Sequence, residues 1–417
     1  MKKILIALLA LGISVGALAQ DKSPFIFSGA AYAYSATYQT TTKDQYMSFS
    51  AYRFRPYLSY KTDEVEATIK LEIDQFFGDK GSASATEKYA KVGADTKGAM
   101  EVKAAYMAAK IPAVEGLSIK FGVDEYKTPG GLIIGTEAGY GMLTYKFDTH
   151  SISGMYLKIV EGKDIVNQED VTMYGLDINL GIGDIKVRPA LYLIEGGKLA
   201  TLKPWTDNMA IVGALGVSMK MDELELEIAG TYATGEDKVT STKYSGYAVD
   251  ISPSYAVDKD IKVGAFFTML SGDDAGTADK ENFSAFQLKA DGYGRMFLLQ
   301  NMQTFSNVAS DAFADIRGLN QGYMLAGVFV NAKVNVLEVK LNAAYGQLMQ
   351  EAGTVNDKKD LGFEADLSVA YVMNKNAKLI ADFAYLGTGK AFTTEGFGSI
   401  VEEQAAIYAG LGLALKF

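Results

Sequence analysis

Cysteine is absent from the 417 residues, histidine occurs once, tryptophan once and proline seven times. Without cysteine there is no disulfide, no thiol nucleophile, no Cys-based zinc or iron–sulfur site and no lipid-modified N-terminal cysteine. A lone imidazole, His150, excludes a multi-histidine metal centre and leaves a Ser-His-Asp enzyme without a spare residue. An excess of basic residues is also missing: Lys and Arg number 40 against 50 Asp and Glu, a net charge of −10. Nucleic acid needs a basic face, so it is not an expected partner. After residue 20 no apolar run reaches the roughly 18 residues a spanning helix requires. Yet 48% of the chain is hydrophobic, with 25 Tyr, 21 Phe and 43 Gly, so it is not a disordered chain either.

The N-terminus reads M-K-K-I-L-I-A-L-L-A-L-G-I-S-V-G-A-L-A. A two-lysine head, an apolar stretch and a small-x-small exit at Ala17-Leu18-Ala19 predict a bacterial secretory signal peptide over 1–19. Residues 20–417 are then the mature domain.

That domain alternates. In Glu64–Asp74, Val65, Ala67, Ile69, Leu71 and Ile73 lie on one face; Glu66, Thr68, Lys70, Glu72 and Asp74 lie on the other. A period of two predicts a strand with one oily and one polar face. The pattern recurs at Tyr52–Tyr60, Tyr174–Leu180, Glu223–Ile228, Leu337–Tyr345, Phe363–Tyr371 and Ile407–Phe417. Connections alternate too. Short ones include Thr62-Asp63, Gly183-Asp184, Met221-Asp222, Asp258-Lys259 and Asn374-Lys375. Long ones cover about 77–98, 126–139, 161–170, 196–208, 234–245, 271–320, 348–360 and 388–402. Short turns at one rim and long loops at the other predict an all-β, transmembrane, antiparallel up-and-down β-barrel. Eighteen strands, within a range of 16–20, give about 22 residues per strand and connection. The number hangs on 271–320: if F-S-A-F-Q-L-K-A and Y-G-R-M-F-L-L-Q-N-M lie in the wall it rises to 20. Both chain ends should share the short-turn rim.

A soluble sandwich also alternates. Two features favour lipid. Aromatics gather near strand ends, at Tyr46, Phe49, Tyr57, Tyr60, Phe121, Tyr126, Tyr140, Tyr145, Phe147, Tyr385 and Phe417, as interface girdles do. Charges sit at strand midpoints, which a wet lumen tolerates and a dry core does not. Pro56, Pro189 and Pro253 fall inside strands, where the missing N–H predicts a bulge, a rim or a misplaced strand limit.

The C-terminal A-A-I-Y-A-G-L-G-L-A-L-K-F resembles the closing strand of Gram-negative outer-membrane proteins. That resemblance implies that Phe417 is part of the signal read by the barrel assembly machinery. Residues 100–132 resemble phosphate-selective-type and general porins, and the S-G-D-D-A-G-T loop from Ser271 resembles alginate-export barrels. The resemblance implies a multi-pass protein of the bacterial outer membrane, held in lipid and lipopolysaccharide, that lets small hydrophilic solutes or ions diffuse passively through a charged, water-filled lumen. It implies no enzyme activity and no cofactor. The rival reading is an anchor or adhesin barrel with a plugged lumen and working surface loops. Porins of 16 strands are commonly homotrimers and wider ones often monomers, so the oligomeric state stays open.

Candidate lumen residues follow from the polar faces: Arg53, Arg55, Glu66, Lys70, Glu72, Lys120, Lys186, Arg188, Glu225, Glu227, Lys340 and Asp366. They form either a selective ladder or ordinary paired charge. In porins the loop corresponding to 126–139 often folds inward; Lys127 and Glu137 would then face solutes, and otherwise they sit on the rim. Glu223, Glu225 and Glu227 merely repeat the strand period, so a solvated face is expected there rather than acid–base chemistry.

Overall fold

A computed structural model describes residues 23–39, 46–76, 99–160, 170–197, 208–273, 279–288, 294–300, 316–350, 359–393 and 404–417. Residues 1–22, with the expected signal peptide, and residues 77–98, expected as a long connection, lie outside the described residues.

Eighteen strands form one closed antiparallel sheet. In chain order they are β1 Phe25–Gln39, β2 Tyr46–Lys61, β3 Val65–Phe76, β4 Ala99–Lys110, β5 Leu117–Lys127, β6 Gly135–Phe147, β7 His150–Val160, β8 Val171–Ile182 and β9 Ile185–Gly196. The second half runs β10 Asn208–Met221, β11 Leu224–Asp237, β12 Thr242–Ala256, β13 Ile261–Leu270, β14 Tyr323–Val334, β15 Leu337–Leu348, β16 Asp360–Asn374, β17 Ala377–Thr388 and β18 Ala405–Lys416. Each strand pairs with its neighbours in sequence, and β1 closes the cylinder against β18. The seam is tied where the chain ends: Gly29 N–H donates to Phe417 O (2.9 Å) and Phe417 N–H to Gly29 O (3.1 Å). The Phe417 ring stacks on Phe54 and tilts against Phe27. Closure removes the sheet edges that lipid could not hydrogen-bond.

The start of β1 at Phe25 and the C-terminal Phe417 both stand at the rim of short turns. Asp148, Asp222, Asn335 and Gly183 open two-residue turns with φ of 54°, 49°, 55° and 59°. Asx residues and glycine tolerate this left-handed geometry, and such turns match strand twist. Among its described residues the segment 271–320 adds no strand: they form 3-10 turns at Phe283–Phe286 and Ile316–Gly318 and irregular backbone at 294–300. The connection expected at 234–245 shrinks to 238–241, because β11 and β12 pair as far as Asp237 and Thr242.

The outer face is oily all the way round. Ile69, Phe121, Leu191, Tyr232, Val328 and Leu411 are exposed large hydrophobics on six different strands. Water would not tolerate so wide a patch, whereas hydrocarbon does. The girdle expectation needs correction at four aromatics. Tyr126 and Tyr140 are buried inside, Phe49 packs edge-on against buried Tyr34, and Tyr57 lies beneath the Lys70 ammonium. Tyr60, Phe121, Tyr145, Phe147 and Tyr385 do face outward, on the oily side of their strands.

The prolines occupy a third kind of place. Between β2 and β3 the pairing jumps from Phe54↔Ile73 to Tyr57↔Lys70, skipping Arg55 and Pro56. Between β8 and β9 it jumps from Asp177↔Ala190 to Leu180↔Val187, skipping Arg188 and Pro189. Between β12 and β13 it skips Ser252 and Pro253. Register is kept across each gap, so none is a bulge. A proline without N–H opens the ladder toward one neighbour and keeps it toward the other. In two of the three gaps the residue beside the proline is an arginine aimed into the lumen.

Candidate functional site

The site is the interior, and its shape is set by the β5–β6 hairpin. Pairing of β4 with β5 covers only Ala105–Lys110. Pairing of β6 with β7 stops at Gly139↔Lys158. Beyond those points β5 and β6 stay paired with each other but leave the wall. Their connecting turn, Pro129–Gly131, lands on the inner faces of β9, β10 and β11. Gly130 has φ 67°, and a Cβ there would stand 2.5 Å from the Ala229 methyl of β11. Only glycine permits that approach. Leu132, Ile133 and Ile134 are fully buried behind the turn, and Leu288 N–H donates to Ile133 O (3.0 Å). The hairpin therefore folds inward and is no rim loop.

Its inner face is fastened by polar contacts. Tyr126 OH donates to Asp177 Oδ2 (2.9 Å) and lies 3.0 Å from Tyr192 OH. Arg188 grips Asp177 and donates to the Lys127 carbonyl (2.7 Å). The opposite face carries Glu125, Lys127 and Glu137, of which Glu125 and Lys127 are exposed.

Facing it is the wall of β2, β3 and β4. Arg53 makes a bidentate pair with Asp74 (2.7 and 2.6 Å) and lies 3.4 Å from Glu72. Arg55 also bonds Glu72. Glu72 is shared a third time, by Lys103 (3.4 Å), which in turn reaches Glu101 (3.1 Å) and, across the passage, Glu137 of the hairpin (3.6 Å). Lys103 gets there through a bulge: Lys70 pairs with Ala104 but Leu71 with Val102. The extra residue puts Lys103 and Ala104 consecutively on the inside. At this eyelet three cations meet four carboxylates. A guanidinium fork matched to a carboxylate is rigid as well as strong, so the lining is preorganised.

Below the hairpin lies a recess of about 420 Å³, touched by Lys120, Tyr126, Tyr140, Asp177 and Arg188. Lys120 bonds Asp124 (2.6 Å) and sits 3.8 Å over the Tyr106 ring; Lys70 is 3.6 Å from Asp124. Tyr106 OH donates to Glu66 (2.5 Å), which also meets Lys61. Near the short-turn rim Glu225 is bonded by Lys262 and Lys220, while Lys186, Glu227 and Lys340 are exposed. Asp366 is on the far wall, away from all of these. There Glu364 accepts Leu298 N–H (2.6 Å) and Leu299 N–H (2.7 Å), and Asp366 accepts Phe297 N–H (3.0 Å). Arg295 of the same segment forms a fork with Asp250 (2.6 and 2.7 Å). A long-loop segment is thus seated inside the barrel on β12 and β16. Met296, Leu298 and Leu299 join Phe283, Phe286 and wall residues in an apolar cluster that fills one side of the interior.

The candidates so divide. Arg53, Arg55, Glu72 and Glu137 come together at the eyelet; Lys120 lines the recess, with Lys70 on its partner Asp124 and Glu66 on Tyr106; Lys127 and Arg188 hold the hairpin; the rest stand apart. Periodicity missed Lys103, because a bulge breaks the count, and Glu364 and Arg295, because their partners are more than 40 residues away in sequence.

Neither a protein-family model nor a curated protein sequence matches the chain. Solved structures do. OccK9 (OpdG) of Pseudomonas aeruginosa superposes with a TM-score of 0.57 at 13% identity over 95% of this chain and 100% of that one. OpdO of the same species gives 0.56 at 13% over 94% and 97%. OccAB4 of Acinetobacter baumannii gives 0.58 at 8% over 95% and 99%. The chain has the outer-membrane porin fold. At these identities the likeness is one of fold, so the charges of this lumen must be read from its own residues.

Proposed function

We propose that the protein is a passive diffusion channel of the bacterial outer membrane for small hydrophilic solutes and ions. One observation carries this: the inward hairpin presents Glu125, Lys127 and Glu137 toward a charged wall instead of an apolar seal. Every eyelet cation has a carboxylate partner, and one negative charge is in excess. A charged ring biases ions of opposite sign, and neutralised pairs weaken the bias. A modest cation preference follows, in place of a basic ladder for anions. No covalent step is needed, since permeation runs down a gradient. Phe417 serves as the assembly signal, pinned at the seam.

The apolar cluster of the seated loop favours the second reading, a plugged anchor barrel. Conductance decides between them. Purified protein in planar bilayers should give discrete steps, and a salt gradient should give a small reversal potential of cationic sign. Absence of any step would leave the anchor reading; a strongly anionic potential would contradict the eyelet assignment.

A further inference from the structure

The recess of about 420 Å³ below the hairpin has a patterned floor. Strand register lays it out in three cross-strand rows. The upper row is Lys120, Met142 and Met155, on β5, β6 and β7. The middle row is Ser118, Thr144 and Ser153, and it ends on Asp177 of β8. The lower row runs from Lys146 through Ser151 to Asn179. A thioether strip therefore borders a hydroxyl strip inside one cavity. The polar groups keep bonding capacity. Thr144 Oγ1 and Ser153 Oγ lie 2.9 Å apart and share one hydrogen bond, which leaves the pair one donor and several lone pairs. Asn179 Nδ2 donates to Ser151 Oγ (3.3 Å), so its carbonyl oxygen is left to accept. Arg188 engages Asp177 and the Lys127 carbonyl through Nε and Nη2, and among the described residues its Nη1 has no partner.

The charges of the recess are already matched. Lys120 is bonded to Asp124 (2.6 Å) and Arg188 to Asp177 (2.9 and 3.0 Å). A carboxylate approaching Arg188 meets Asp177 in the same fork, and an ammonium approaching Asp177 meets Arg188. Lys146 stands exposed at the lower end, open to water. An ion gains nothing from Met142 and Met155, and a hydrocarbon leaves the hydroxyls and the guanidinium unpaired. A neutral ring with hydroxyls on its rim and C–H groups on its face suits both strips. Neighbouring hydroxyls on such a ring stand about as far apart as those of Thr144 and Ser153. We propose that the recess is a binding subsite for a neutral polyhydroxylated solute of sugar type. Its hydroxyls bond Thr144, Ser153, Asn179 and Arg188, and its C–H face lies on Met142 and Met155. The subsite rests on the channel reading above and names the solute class that the passage retains.

Single-channel current in planar bilayers tests it, with D-glucose as the neutral probe and glucuronate and glucosamine as its anionic and cationic counterparts. Glucose should lower the wild-type current saturably, with a half-blocking concentration in the millimolar range, and each charged counterpart should need about tenfold more. Thr144→Val combined with Ser153→Ala removes both hydroxyls and should raise the glucose value about tenfold, read against the variant's own sugar-free current. A current that falls only in proportion to glucose, as viscosity alone causes, disproves the subsite and leaves the channel intact. A stronger block by glucuronate or glucosamine makes the site ionic and overturns the proposal, as does an unchanged half-blocking concentration in the double variant. The glucose titration uses the wild-type protein, so it decides the matter even if the double variant fails to assemble. Absence of any current step overturns the channel reading itself, and the subsite with it.

Discussion

The lumen handles buried carboxylates in two ways, on two walls. On β2–β4, Glu72 and Asp74 are matched by Arg53, Arg55 and Lys103. On β16, Glu364 and Asp366 are matched by backbone N–H groups of a loop. Side-chain cations leave the wall smooth and the passage free. Backbone donors bring a whole segment with them, and that segment occupies space. The same residue type thus opens one side of the barrel and fills the other.

The sharpest way to break the contrast is Arg53→Met. It removes one of the three cations that match Glu72 and Asp74, the one whose fork holds Asp74, and removing one partner of a buried pair costs about 3–5 kcal/mol. Urea unfolding from liposomes should register the loss. An effect below about 1 kcal/mol would mean that Asp74 is solvated and that the two walls do not differ.

Much of this was legible in the alternation. Val65 to Ile73 against Glu66 to Asp74 assigns β3 its faces, and the two-residue turns set the pairing order. The eyelet was less so. A bulge shifts Lys103 onto the inside, against the period. Phe49, Tyr57, Tyr126 and Tyr140 are aromatics near strand ends, yet they point inward, where each finds a partner: Tyr34 for Phe49, Lys70 for Tyr57, Asp177 for Tyr126 and Lys120 for Tyr140. Arg295 and Glu364 meet partners brought in by a loop, which no local spacing announces.

A smaller effect separates wall from lumen on one strand. Ile69→Arg puts a charge on the outer face of β3 and should cost about 2–4 kcal/mol if it lies near mid-bilayer. The same unfolding titration reads it, and a neutral outcome would reverse the faces. Glu364→Gln comes next. It keeps the shape but turns one of the two accepting oxygens into an N–H donor facing a backbone N–H, so one bond to the seated loop is lost, at about 1–3 kcal/mol. Faster proteolysis within 294–300 should accompany it; unchanged cleavage would show that the apolar cluster alone holds the segment. Lys340→Gln, exposed on β15, should stay within about 0.5 kcal/mol of wild type.

The free side of the lumen is tested most directly at Lys103. Because the chain has no cysteine, Lys103→Cys carries a single thiol at the eyelet. Single-channel current is recorded before and after a negatively charged, water-soluble thiol reagent. A stepwise fall in current with a shift toward cation preference is expected. Complete labelling with unchanged current would place the conducting path elsewhere and contradict the eyelet.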